Sequence, residues 1–180
     1  MNRKRLITLI EIALLSAIGF IFGKIEFSAF WLQGGGISLV MIPLALLSIR
    51  RGIAAGMIGG AIVGLLSMIF GGYIVYPLQA ILDYPLAFGL LGLAGIFAAK
   101  RSNVYNMVGI ALAGGLRLLS HTISGVLFFS EYAEGKNVWL YSIGYNAAYI
   151  IPEIIIGCVA IALFSLRAKE LLLMGKEKAL

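Results

Sequence analysis

Residues 50–72 read RRGIAAGMIGGAIVGLLSMIFGG. Two arginines are followed by about twenty residues without a charge, enough for a helix to cross a hydrocarbon core of about 30 Å. The same pattern of a basic cluster beside apolar sequence repeats along the chain. Arg3-Lys4-Arg5, Arg50-Arg51, Lys100-Arg101 and the group Arg167, Lys169, Lys176 and Lys178 recur at intervals of about fifty residues. Such an interval holds two spanning helices of about 20 residues and a turn. Cytoplasmic loops collect Lys and Arg, so every cluster, and both termini, are expected in the cytoplasm. Lys24 and Lys136 are left to the opposite loops, and Arg117 to the interior of a span.

The expected fold class is therefore all-α integral membrane: six transmembrane helices in three consecutive hairpins with N- and C-termini cytoplasmic. Predicted spans are 5–24, 36–49, 53–70, 77–99, 104–129 and 138–166. The second is short, but parity requires it to cross, or Arg50-Arg51 would lie outside. Residues 1–180 read as a single six-helix transmembrane domain. Composition agrees: 61% of residues are hydrophobic and 12% charged, with a mean hydropathy of +1.02. A soluble domain carries about 45–50% apolar and about 25% charged residues. The net charge of +6 does not indicate a nucleic-acid partner, because the basic residues sit in topological clusters. Residues 1–20 are read as a retained first helix, since Lys24 and Glu26 stand where a small-residue cleavage site would be. Cys158 is the only cysteine and reads as a packing residue.

Helix 3 carries Gly52, Gly56, Gly60 and Gly64 at a spacing of four, a pattern that lets helices approach closely in lipid. Internal packing is the plain explanation. Ala13 and Ala17 present small residues on helix 1, which leaves a partner surface open. Glu11 is expected to snorkel to the inner surface or to meet a partner.

Ionisable and amide side chains inside spans are costly and mark functional positions. With a helical rise of about 1.5 Å per residue, Asp83 stands about 26 Å above Lys100, His121 about 30 Å above Arg101, and Asn146 about 32 Å above Arg167. Three helices thus bring polar groups to one outer level, as a pocket open to the outside would require. Arg117 and Glu153 lie lower, at about 24 Å and about 21 Å, where a buried ion pair is expected. Tyr76, Gln79 and Asp83 share a stripe on helix 4; Arg117, His121 and Ser124 share one on helix 5. Asp83 either contacts a ligand or pairs with a neighbouring donor. Tyr141, Tyr145 and Tyr149 fit an interfacial aromatic belt, whereas Asn146 does not, since an amide needs several hydrogen bonds. Trp31 and Trp139 fit the belt and can also reach over a pocket mouth.

Some chemistry is missing from the sequence. There is no phosphate-cradling GxxxxGK loop followed by Ser or Thr, and hence no ATPase of its own. One His and one Cys do not supply a metal or nucleophile set, so no metal, cofactor or catalytic residue is expected.

The stretch RLLSHTISGVLFFSEYAEG at 117–135, then YSIGYN at 141–146, with LDYPLAF at 82–88 upstream, resembles the thiamine-specific substrate-binding subunits of energy-coupling factor transporters. The likeness covers essentially the whole chain. It implies capture of extracellular thiamine at an outward site in the prokaryotic plasma membrane. It also implies a separate transmembrane coupling subunit and two cytoplasmic ATPases as partners, alongside membrane lipid. Carried over by motif, the resemblance makes His121 and Gly125, Tyr141 and Asn146, Asp83 and Tyr84, and the loop aromatics Tyr73 and Trp31 substrate-binding residues. The family pattern has glutamate where Asp83 stands and a second pocket tryptophan where Phe129 stands. Both departures keep the chemistry and bear on affinity. The resemblance also makes Ala13 and Ala17 the surface that meets the coupling subunit. Thiamine suits the residues: a carboxylate opposes its thiazolium charge, and aromatic faces attract the cation and stack on flat rings. Asp83 and Asn146 are expected to hold the polar and charged parts, with Trp31, Phe129 and His121 around the rings. The same architecture would serve another vitamin or a thiamine precursor. From another class, a lipid-processing membrane enzyme would use His121 and Asp83 as acid and base, and it lacks a nucleophile or metal set.

Overall fold

The computed structural model describes residues 3–27, 35–167 and 172. Within these, helix α1 runs Arg3–Lys24, and a two-residue ribbon pairs strand β1, Glu26–Phe27, with β2, Ile37–Ser38. The ribbon is antiparallel, with Glu26 opposite Ser38 and Phe27 opposite Ile37. Then follow α2, Met41–Arg51, and α3, Ile53–Ile69; α4, Pro77–Lys100; α5, Asn103–Phe128; a short turn, Ser130–Ala133; and α6, Val138–Arg167. Helices α1, α4, α5 and α6 are long and apolar enough to cross a membrane. Their outward faces are apolar too: Leu14, Ile81, Leu119, Ile155, Leu163 and Leu166 are all exposed, as side chains facing lipid are.

The six predicted spans match six helical segments with one correction. The second was expected from residue 36, but helix begins only at Met41. Residues 37–38 are instead extended and pair with 26–27, and Leu39 N–H reaches the Phe22 carbonyl at 3.4 Å. At eleven residues, α2 is about 16 Å long. It tolerates this length because it is wrapped by the bundle: Met41, Leu44, Ala45, Leu47 and Ile49 are buried. The α2–α3 turn is made by Gly52 alone, at φ 90°, so Gly52 is a turn residue and not part of the packing stripe.

The remaining glycines of that stripe pack inward. A Cβ on Gly60 would lie 2.1 Å from the Phe88 carbonyl oxygen, and one on Gly64 would lie 2.4 Å from that of Tyr84. Helices α3 and α4 therefore touch backbone to backbone. Helix α4 is not uniform. Residues Leu82–Leu86 form a wide turn with Pro85 inside it, and Leu91–Gly95 wind tightly. Pro85 has no N–H for the regular ladder, and a locally widened turn accommodates that loss. Neighbouring serines brace both irregular regions. Ser120 Oγ donates to the Leu82 carbonyl at 2.7 Å. Ser48 Oγ donates to the Gly92 carbonyl and accepts Gly95 N–H at 2.9 Å.

Glu11 on α1 is taken up within the molecule. It accepts from Arg50 Nη2 at 2.8 Å and Arg51 Nη2 at 2.5 Å, clasping α1 to the α2–α3 turn. Otherwise α1 packs by one narrow face, with only Ile12, Ser16 and Gly19 buried. Ala13 and Ala17 are exposed.

Candidate functional site

Helices α4, α5 and α6 enclose a cavity with ≈ 1210 Å³ of empty space, open mouth included. The wide turn of α4 aims Asp83 and Tyr84 into it, α5 contributes Arg117, His121, Ser124 and Gly125, and α6 contributes Tyr141, Ser142, Asn146 and Tyr149. Tyr73 and Phe129, whose ring centroids are 6.0 Å apart, line its outer part. The structure thus gathers Asp83, Tyr84, His121, Gly125, Phe129, Tyr141, Asn146 and Tyr73 around one space. Trp31, the remaining candidate, lies outside the described residues.

Asp83 is held by three donors. Its Oδ1 faces His121 Nδ1 at 3.0 Å, and its Oδ2 accepts from Ser124 Oγ at 2.9 Å and Gln79 Nε2 at 2.7 Å. Arg117 Nε lies 3.4 Å from His121 Nε2. A guanidinium only donates, so that Nε2 accepts, and Nδ1 carries the proton given to Asp83. With about four lone-pair positions on a carboxylate, one remains for a ligand.

Beneath this lies the expected ion pair. Arg117 Nη1 donates to Glu153 Oε2, and both side chains are nearly inaccessible. Glu153 Oε1 accepts from Ser38 N–H at 2.8 Å and Ser38 Oγ at 2.5 Å. The guanidinium also stacks over Phe88, 4.7 Å from the ring centroid. Its depth predicts a buried ion pair for Arg117 in preference to a ligand contact. It does pair with Glu153, but it also touches His121 and the cavity wall, because a long side chain spans the difference in level. Arg117 and Glu153 cancel, so Asp83 carries the uncompensated charge of the floor.

The α6 wall has its own network. Asn146 Nδ2 donates to the Ser142 carbonyl at 2.9 Å, Tyr149 Oη donates to Asn146 Oδ1 at 2.7 Å, and Ser142 Oγ donates to the Thr122 carbonyl at 2.9 Å. Gly125 allows α5 and α6 to close here, since a Cβ would stand 2.2 Å from Ser142 Oγ. Tyr141, Tyr145 and Tyr149 follow one another with centroids 6.3 Å apart at each step. These rings line the cavity as well as occupying the belt level.

At the mouth, Lys24 Nζ donates to the Phe70 carbonyl at 2.5 Å. Loss of solvent raises the Glu26 carboxyl above its ordinary range, an effect that Lys24 partly offsets. Sequence reasoning missed Ser38, Ser142, Lys24 and Glu26 as parts of the site. It placed Gln79 and Ser124 on the right stripes without a role. Spacing of four from Asp83 was the available signal for Gln79; Ser38 meets Glu153 across 115 residues and left none.

Comparison with known proteins bears on what such a cavity receives. The family model described as thiamine transporter protein matches residues 9–173. Thiamine transporter ThiT of Bacillus subtilis is 36% identical over 189 aligned positions, covering 96% of this chain and 97% of that protein. Thiamine transporter ThiT of Lacticaseibacillus paracasei is 29% identical, covering 99% and 96%. The solved structure of ThiT from Listeria monocytogenes superposes with a TM-score of 0.84 at 31% identity, over 94% of this chain and 99% of that one.

Proposed function

The chain belongs to the thiamine transporter protein family, and from that premise we propose that Asp83 anchors thiamine in the outward cavity as the capture step of uptake. The protein is a multi-pass protein of the cell membrane and a transporter component. One observation carries the site assignment: with Arg117 paired to Glu153, Asp83 is the uncompensated charge on the floor of a cavity rich in aromatic rings, whose other charged groups, Lys24 and Glu26, stand at the mouth.

Thiamine is a cation joined to a flat aminopyrimidine. The Asp83 charge opposes the thiazolium, or its free lone pair accepts an amine hydrogen, and three donors already hold it in place. Preorganisation of this kind strengthens binding because little ordering is left for the moment of capture. Tyr73, Phe129 and the tyrosines of α6 supply the faces for cation–π contact and stacking. Tyr141 and the second lone pair of Asn146 Oδ1 meet the remaining polar edges, while His121 and Tyr84, whose polar atoms are already engaged, present ring faces, with Gly125 leaving room for them and Trp31 closing the set. Binding of thiamine in detergent, followed by quenching of tryptophan fluorescence, tests the reading. Saturable quenching at micromolar thiamine or below is expected, and its absence would sink the assignment.

Energy for uptake comes from elsewhere in this reading. A transmembrane coupling subunit and two cytoplasmic ATPases drive release to the inside, and this subunit hydrolyses nothing. What supports a partner is the α1 surface, where Ala13 and Ala17 are exposed between Leu9 and Ile21, also exposed, at a spacing of four. Small residues admit close approach of another helix.

A further inference from the structure

Gln79 is 1% exposed and spends its carboxamide on two different parts of the molecule. One Nε2 proton goes to Asp83 Oδ2 at 2.7 Å and the other to the Tyr73 carbonyl at 3.0 Å. Its Oε1 accepts the Val75 N–H at 3.0 Å. An amide has two protons, and both are committed. The orientation is forced, because the amide oxygen cannot face a carboxylate. Tyr84, next to Asp83, grips the same connection from the other side: its hydroxyl accepts Tyr73 N–H at 2.6 Å. Tyr73 in turn places its ring against Phe129 at the outer part of the cavity.

We propose that Gln79 is a positioning residue for capture, tying the 71–76 connection that carries Tyr73 to the Asp83 carboxylate. A ligand that draws on Asp83 then changes the pull on Gln79, and the aromatic at the mouth is seated in the same event. Gln79 itself is shielded from water, so its hydrogen bonds meet less competition from solvent than exposed ones do. This inference rests on Asp83 as the anchor of a cationic vitamin, but its mechanical part can be read without ligand.

Gln79→Glu separates the two connections. A glutamate can still accept Val75 N–H. Once ionised it repels Asp83, and once protonated its single O–H serves either Asp83 or Tyr73 but not both. Thiamine titrations at about pH 8 and about pH 5.5 should show Gln79→Glu at least about tenfold weaker than wild type at the higher pH and partly recovered at the lower. Gln79→Leu should be weak at both. A merely structural role for Gln79 would not create that pH difference between variant and wild type. In the apo protein, Asp83→Ala should speed hydrogen exchange at the Tyr73 and Val75 amides several-fold, since it frees one arm of Gln79 without touching either amide. Gln79→Glu binding as tightly as wild type at the higher pH, or unchanged exchange in Asp83→Ala, would overturn the proposal. Failure of wild type to bind thiamine would instead count against the function, and the exchange measurement would still decide the coupling.

Discussion

Asp83 shows how much of a site one residue can hold and how much it borrows. Its acid group at membrane depth was visible in the sequence, and so was its level beside His121 and Asn146. The donors that aim it were not, because Ser124 and Gln79 are unremarkable letters until α4 and α5 pack. Since its charge is the uncompensated one, Asp83→Asn should weaken thiamine binding by about ten- to hundredfold, the range expected for a hydrogen bond to a charged group. Fluorescence titration reads this, and an unchanged affinity would rule out the electrostatic role. Gly125 makes a second case. Its missing Cβ is the space in which Ser142 Oγ sits. Gly125→Ala should displace Ser142, free the Thr122 carbonyl and shift Asn146, destabilising the fold by about 1–3 kcal/mol. Thermal unfolding in detergent and thiamine affinity should fall together.

Between elements, the Arg117–Glu153 pair joins α5 to α6, and Ser38 extends the connection to β2. Depth counting anticipated the pair because two opposite charges at similar levels on consecutive helices have few other partners in lipid. It did not anticipate Ser38, which reaches Glu153 only because β2 enters the bundle as a strand. Removing either charge leaves the other buried and unpaired, at a cost of about 3–5 kcal/mol. Arg117→Ala and Glu153→Ala should each lower the unfolding midpoint, and the double variant should lose clearly less than the sum. Additive losses would contradict a coupled pair. Helix α4 teaches the complementary lesson. Pro85 announces an irregularity, yet where the widening falls, and that it turns Asp83 and Tyr84 into the cavity, depends on Ser120 from α5 and the bare backbone of α3.

Across the whole molecule, the basic clusters mark one end and the cavity opens towards the other. The Glu11 clasp to Arg50 and Arg51 secures α1 at the basic end, while most of its surface remains uncovered. That asymmetry fits a helix whose second neighbour is another protein. Ala13→Trp and Ala17→Trp should therefore leave thiamine affinity near wild type, since neither residue lines the cavity. Uptake into vesicles carrying the coupling subunit and ATPases should be lost. Full uptake with both tryptophans present would remove α1 as the docking face.

The sequence by itself determined the class of molecule, the number and order of its helices, its polarity across the membrane and the level of its polar groups. These follow from local quantities: lipid demands apolar runs of a set length, and charge placement orients them. The tertiary structure decided which polar groups meet. Asp83 acquires three donors, Glu153 finds Ser38, and residues 37–38 run extended ahead of a short buried α2, all through contacts between segments far apart in the chain. Periodicity and spacing carry no information about such contacts, because each depends on how closely whole helices approach. Here that approach was set by glycines whose partners the sequence could not name.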